Sequence, residues 1–474
     1  MNTFPVWQEA VAAPASVSGT PGGFPNPPAM VRGEQSSPAP HATPEFPAGT
    51  TVSADVAVVG GGLTGLSTAY HLAAARPGAR VVLLEAGALG TGASGRNTGI
   101  LGPGVGQSLP ALVARLGPQE AAALYRATLE AVADVRALCA REAIDCDLQM
   151  TGQLLRARSR GDRRRLARQA ALMAELELPF ERLDDDAAAR VVRLPAPPGV
   201  AADGPAALRF AQAGLLHPGK LVAGLAVRAA ARGATLYTGA RVTAIGGSGG
   251  GRRATISLAG GGTVVADHVV VATAGYTAGL GILRGRVLPV HLQALATAPL
   301  PPEALAALGW SGRESIVEAR RIFNYFRLTA DDRLVFGGAA PRYHWRGRPP
   351  AGEEARLART LQRELAAVFP SSAGIGHLPV THAWSGVIGY TLDALPVLGR
   401  DPERPPVVHA LGWCGHGVAL SVASGAWIAR LVLDARSFDG PWFRGRSPLL
   451  AGEAVRWISF RAAVGAMAVL DKVA

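Results

Sequence analysis

The chain has 474 residues, 49% of them apolar and 17% charged, with a formal net charge of +12. Such a length and balance suit two or three domains with sizeable cores and exclude a disordered or fibrous polymer. No apolar run reaches the roughly 18 to 20 residues of a membrane span, the start lacks the basic-then-apolar layout of a secretory signal, and three cysteines in no metal-like spacing fit a reducing compartment, so a cytoplasmic protein is expected.

Residues 1–50 hold ten prolines and few large apolar groups, which predicts a flexible or surface-draped extension. From Asp55 the apolar run Val56 to Val59 reads as a strand, followed by Gly60-Gly61-Gly62-Leu63-Thr64-Gly65, a helical stretch from Leu66 to Ala75, and a second strand, Val81 to Leu84, ending in Glu85. Glycines at 60, 62 and 65 allow a tight turn, a close approach to a pyrophosphate and a helix packed near the sheet, and the helix start offers N–H groups to the phosphate. An acid some 20 residues on is placed to hold ribose hydroxyls. Alone, this motif serves NAD as well as FAD.

A loop follows over Gly92 to Gly99. Helical spacing predicts helices over Pro118 to Arg141 and Asp162 to Leu178, with a strand near Thr151 to Ala157 between them, all in a second domain. The arginine run within this stretch, Arg156, Arg158, Arg160, Arg163, Arg164, Arg165 and Arg168, lacks aromatics to stack on bases. It reads as a solvated loop and helix face, which disfavours nucleic acid as a partner.

Leu216-His217-Pro218 turns into a helix over Leu221 to Ala231, with His217 fixing the turn. Strands are expected around Ala234 to Ile245 and Ala254 to Leu258, broken by a glycine turn at 246–251, and then at Asp267 to Thr273, ending in small residues. Alternating strands at Val287 to Thr297, Ser315 to Leu328 and Arg333 to Gly338 suit an antiparallel sheet that roofs a pocket. Tyr325 and Arg327 share one face of it with Phe323. Glu354 to Val368 is a predicted helix, Asp393 caps a turn, Pro406 to Gly412 is a last strand, and Val418 to Leu433 is a helix that begins just past glycines.

Small residues thus end a strand at four places: Gly60 to Gly65, Gly92 to Gly99, Ala272 to Gly275 and Gly412 to Gly417. With Gly-Ala-Ser-Gly-Arg-Asn at 92–97, Leu-His-Pro at 216–218, Asp-Arg-Leu-Val-Phe-Gly-Gly at 332–338, Trp-Ser-Gly at 384–386, Thr391 to Pro396 and Gly-His-Gly-Val at 415–418, the chain resembles the FAD-dependent amine and amino acid oxidoreductases of the D-amino acid oxidase superfamily. Within it, the chain looks most like the γ-glutamylputrescine oxidoreductase branch.

The resemblance implies an α/β fold. A discontinuous Rossmann-like FAD-binding domain would take 51–105, 206–285 and 380–436, an antiparallel-sheet substrate domain with helices 106–205 and 286–379, and a tail with a helix 437–474. It further implies that Gly60, Gly62, Leu63, Thr64 and Gly65 cradle the pyrophosphate and that Glu85, with Ala86 beside it, binds ribose. Gly92, Ala93, Ser94, Gly95, Arg96, Asn97 and Gly99 would pass the ribityl chain and flavin, Val242 the adenine, and Ala272, Thr273, Ala274 and Gly275 the phosphates. Gly386, Gly412, Gly415, His416, Gly417 and Val418 would close on the flavin, with N–H groups at the helix start near N1 and O2, where charge gathers on reduction. Trp384, His416, Tyr325 and Arg327 are the candidates for the substrate side.

Three departures narrow this expectation. The sarcosine-oxidase branch holds a substrate carboxylate with a lysine where this chain has Ala419. It uses another lysine over the flavin to activate oxygen, whereas Lys220 and Lys472 are the only lysines here, so oxygen or another acceptor stays open. It also tethers FAD to a cysteine near the segment that here reads His382-Ala383-Trp384, where no cysteine stands, so FAD is expected to be non-covalent. Oxidation of an amine or amino acid follows by hydride transfer to flavin N5 and imine hydrolysis. An amine with a remote carboxylate read by Arg96 or Arg327 is one form of this. A tRNA-base-modifying FAD enzyme and a non-catalytic FAD subunit are the other readings.

Overall fold

The computed structural model describes residues 1–8, 43–195, 204–247, 253–369, 374–434, 447–449 and 452–472. Most of the proline-rich segment, residues 248–251 of the glycine turn and part of the 437–474 tail lie outside them.

Valine-rich runs buried on both faces form the centre of the first sheet, as parallel strands flanked by helices require. Its order is 397–400, 407–411, 263–271, 51–59, 81–84, 235–237, with the hairpin 242–247 and 254–258 attached beside 263–271. Strand Thr51–Val59 runs parallel to Val81–Leu84 and to Thr263–Val271, in a register that sets Val59 beside Leu84 and Val271. Each such buried Val or Leu contributes about 1.5–3 kcal/mol relative to exposure. The single strand expected over Ala234 to Ile245 is two, because Thr235–Tyr237 joins the parallel sheet while Val242–Gly247 turns away into the hairpin.

Helices Leu63–Ala75 and Gly417–Leu433 pack closely, for a Cβ added at Gly425 would lie 2.2 Å from the Ser67 hydroxyl. Helix Pro118–Arg141 was expected in the second domain, yet its Leu124, Val132 and Leu138 join the core of the first with Leu66 and Leu420.

The second sheet has the order 380–391, 287–299, 333–343, 325–328, 315–318, 153–156, 207–210, 181–183, and is antiparallel except for 315–318 beside 153–156. Two expected boundaries therefore move: Ala207–Phe210 and Val380–Thr391, assigned from sequence to the FAD-binding domain, are strands of this sheet. One face packs Leu295, Phe326 and Phe336 under helices Pro302–Leu308 and Glu353–Val368. The other faces the first domain.

The first eight residues are not a loose extension. Asn2 forms a parallel bridge to His382 on edge strand 380–391, its N–H donating to the Thr381 carbonyl at 2.9 Å and its carbonyl accepting from the Ala383 N–H at 2.9 Å. Trp7 is 2% exposed in a core cluster with Ala294, Ala296, Val335 and Trp384. At the other end of the same face, Trp457 and Phe460 of helix Glu453–Lys472 pack on Leu288, Val290 and Tyr343.

The arginine run is divided: Arg160, Arg164 and Arg168 are exposed as expected, whereas Arg156 and Arg163 are buried. Arg156 donates to the Leu194 and Pro195 carbonyls, Arg163 pairs with Asp185 and Arg165 donates to the Ala319 carbonyl at 3.3 Å, so these cations staple elements together. Among the described residues no helix is long and apolar enough to cross a membrane.

Candidate functional site

Ligands of open α/β sheets lie beyond the carboxyl ends of the strands. Here those ends are adjacent: the Gly60 N–H donates to the Leu84 carbonyl and the Ala272 N–H to the Val59 carbonyl, both at 2.9 Å, which sets Gly60, Glu85 and Ala272 side by side. Gly60 has φ +110°, and a Cβ there would sit 2.6 Å from the Ala272 carbonyl oxygen. A Cβ on Gly65 would come within 1.9 Å of the Gly60 carbonyl oxygen, and one on Gly62 within 2.7 Å of Ser94 Oγ. The turn is thus closed to any side chain.

Glu85 accepts from the Gly61 N–H at 2.7 Å and the Gly87 N–H at 2.9 Å, which holds its carboxylate at the turn; Ala86 between them is exposed. Val242 opens the hairpin strand two residues beyond Ala240, whose N–H donates to the Glu85 carbonyl at 2.8 Å.

Two helices start at this edge without an acid in the first turn and without a cap from the side chain of the residue before them, Leu63–Ala75 after Gly62 and Gly417–Leu433 after His416. Trp413 Nε1 donates to Thr64 Oγ1 at 3.3 Å and so joins the two starts. Helix starts of this kind carry positive partial charge and suit an anion.

The loop from Gly92 to Gly99 crosses the cleft as a knot of internal hydrogen bonds. Its Ala93–Gly95 segment is one 3-10 turn. Ser94 Oγ accepts from the Leu63 N–H at 2.9 Å, while Asn97 donates to the Ala93 and Ser94 carbonyls and accepts from the Gly99 N–H. Arg96 donates through Nε to the Thr91 carbonyl at 2.8 Å and through Nη1 to the Ser385 carbonyl at 3.0 Å. Trp384 returns the link, its Nε1 donating to the Arg96 carbonyl at 2.9 Å, and a Cβ on Gly386 would meet Arg96 Cβ at 3.1 Å.

Arg327 spans the two domains from the sheet side. It is 6% exposed and donates to the Thr98 and Leu216 carbonyls, each at 2.8 Å, and at 3.4 Å to the Leu328 carbonyl. Burial lowers its pKa to about 10, with Asp147 and Asp331 opposing the shift. The two arginines expected to read a carboxylate thus each donate to backbone carbonyls on both sides of the cleft.

Tyr325 lies across Gly337, where an added Cβ would touch its ring at 2.4 Å, and burial pushes its hydroxyl up to about 12. Tyr390 is pushed up to about 12, first by burial and then by Cys414. His416 presents free surface yet is walled in by protein, which lowers its pKa; the Cys414 backbone opposes this. Gly104 faces it, since a Cβ there would meet His416 Cδ2 at 3.5 Å, whereas one on Gly415, at φ +91°, would point into open space. His217 Nδ1 accepts from the Lys220 N–H at 3.1 Å and caps helix Pro218–Ala231, in keeping with a structural turn.

Sequence reasoning brought these segments together but missed three aromatics. Tyr276 follows Gly275 and is 57% exposed; burial raises its pKa, while the opposed influences of Arg96 and Glu85 place it near both. Tyr390 offered only strand alternation as a signal. Trp7 offered none, since its segment reads as unstructured.

A glycine cradle that no Cβ enters, two helix starts with no acid in the first turn and an acid at a strand tip fit a flavin adenine dinucleotide. The family comparison defines the class: residues 55–431 match the model of the DAO family, FAD dependent oxidoreductases, and the chain belongs to that family. FAD is its cofactor. Among curated proteins it is 32% identical over 390 residues to the probable oxidoreductase OrdL of Rhizobium meliloti (strain 1021), covering 80% of this chain and 83% of that one. It is 31% identical to the gamma-glutamylputrescine oxidoreductase of Escherichia coli (strain K12), covering 82% and 86%. Among solved structures, glycine oxidase from Geobacillus kaustophilus superposes with a TM-score of 0.65 at 26% identity, covering 85% of this chain and 100% of that one.

Proposed function

We propose that the chain oxidises the C–N bond of an amine that carries no α-carboxylate. Gly60, Gly62, Leu63, Thr64 and Gly65 hold the pyrophosphate, Glu85 the ribose, and Val242 with Ala272 to Gly275 the adenosine side. Ser94 to Gly99, Gly386 and the 415–418 helix start hold the flavin, without a covalent bond. When bound, FAD would supply the two-electron chemistry as acceptor of a hydride from the carbon beside a neutral amine nitrogen, and the protonated imine formed would be hydrolysed by water. The rest falls to this chain: the N–H groups at the Gly417 helix start stabilise negative charge, and Tyr325, Tyr390 and His416, all held neutral by burial, orient the amine and exclude water.

The observation that carries the substrate reading is the commitment of cations around the cleft. Arg96 and Arg327 donate to backbone carbonyls, and position 419, on the first turn of the flavin-side helix, is a buried alanine. None of these three positions offers an α-carboxylate a free cation, and a desolvated charge without one costs several kcal/mol. Mono- and diamines with apolar bodies suit the Leu292, Ile388 and Tyr390 side of the sheet. Anaerobic stopped-flow reduction of the bound flavin by amines and by α-amino acids tests this. Faster reduction by simple α-amino acids than by any amine refutes it.

A further inference from the structure

We infer that the first eight residues are a positioning element of this site and that Trp7 sets the loop which passes the flavin. This inference rests on the flavin site proposed above. Its starting point is that Trp7, 2% exposed, is surrounded by the side chains that tie the two domains together. The Arg327 guanidinium lies over its ring at 5.1 Å, and its ring meets those of Trp384 at 6.0 Å and His217 at 5.8 Å, both edge to face. Each neighbour holds a backbone group: Trp384 the Arg96 carbonyl, Arg327 the Thr98 and Leu216 carbonyls, and His217 the Lys220 N–H. Trp7 thus stands under both fastenings of residues 96–98.

The physical need is set by Arg327. A guanidinium withdrawn from water requires compensation, and among the described residues no carboxylate is bonded to it. Three carbonyls and the face of an indole supply it; the ring faces a cation with its negative quadrupole and excludes water at no charge cost. Without the ring, the guanidinium has room and reason to swing toward Asp147 or Asp331, which line the same cavity of about 370 Å³. The Thr98 carbonyl then loses its donor.

What fixes Trp7 is remote from the loop it serves. The Asn2 bridge to strand 380–391 and the 3-10 turn Val6–Gln8 hold it, so an element at the start of the chain braces a loop almost a hundred residues away in sequence. Trp7 acts on the loop through Trp384 and Arg327 and is a positioning residue.

The test compares full-length Trp7→Phe, which keeps a π face, with Trp7→Leu, which keeps bulk without one. FAD affinity, set at the pyrophosphate end, is expected to stay within about threefold of the parent in both. Trp7→Leu is expected to alter the visible circular dichroism of the bound flavin and slow its reduction by amine about tenfold, with Trp7→Phe near the parent in both. Equal behaviour of the two variants in dichroism and reduction overturns the inference, as does a Trp7→Leu enzyme indistinguishable from the parent. Should no amine reduce the parent, the substrate reading fails, while the dichroism still decides the role of Trp7.

Discussion

Gly65→Ala isolates the part of the site that the sequence announces most strongly. Gly65 lies in the first turn of helix Leu63–Ala75, where any residue can adopt the backbone, so the effect is one of contact alone. Against the roughly 3.3 Å at which carbon and oxygen touch, an added Cβ at 1.9 Å from the Gly60 carbonyl oxygen is short by about 1.4 Å. Both partners are backbone, so no rotamer relieves the overlap and the 60–65 turn has to move. Overpacking of this kind costs about 1–3 kcal/mol. If 2–3 kcal/mol of that falls on the FAD-bound form, affinity drops by roughly 30- to 150-fold. Titration of the apoprotein with FAD, followed by flavin fluorescence, measures the change. Gly279→Ala, where an added Cβ meets no atom within 4 Å, is the control and should bind as the parent does. A Gly65→Ala dissociation constant within about threefold of the parent would refute the cradle argument.

Other outcomes follow from the same geometry. Glu85→Ala removes the acceptor of the Gly61 and Gly87 N–H groups and should weaken FAD binding at least about tenfold, with Glu85→Gln retaining part of it; equal affinities for both would discard the role. Acid precipitation should leave the yellow colour in the supernatant, and a yellow pellet would mean a covalent flavin. His71 and His291 are lowered by burial from the usual 6.5 to about 4 and are neutral in the folded protein. Below pH 6.5 the unfolded chain therefore binds protons that the folded one refuses, so stability is complete above 6.5 and falls as pH drops toward 4. A melting temperature that is flat over this window, or that falls as steeply in His71→Gln with His291→Gln, would contradict this. Arg327→Met leaves the Thr98 and Leu216 carbonyls without their donor, at about 1–3 kcal/mol for each, and should lower the melting temperature by several degrees.

The glycine turn, the acid at 85 and the helix start at 417 were legible because each is local: one segment, one turn, one spacing. The parallel strands were legible for the same reason, as unbroken valine runs. What the sequence withheld depends on pairing between distant segments. Strand 380–391 looks as if it belongs with the flavin loops it touches, yet its hydrogen bonds go to 287–299. Arg96 and Arg327 read as available cations until their carbonyl partners, 229 residues apart from Arg327 in one case, are known. The run from Arg156 to Arg168 reads as a wet face because polarity alone does not reveal an acid waiting on another element. Trp7 sits in a stretch whose composition argues against order, and only the exposed edge of a sheet gives it a place.

The parallel sheet that carries the cradle joins strand 51–59 to 263–271 and then to 407–411. The glycine turn at 60–65 emerges early in synthesis, but strand 407–411 and the helix from Gly417 lie some 350 residues later. Closing so long a loop precedes any contact that rewards it, which slows folding and leaves apolar strand edges bare meanwhile. On the FAD site proposed above, the cradle is complete only once residues 407–433 have joined the sheet, so FAD is expected to favour the closed form by binding it rather than by guiding its assembly.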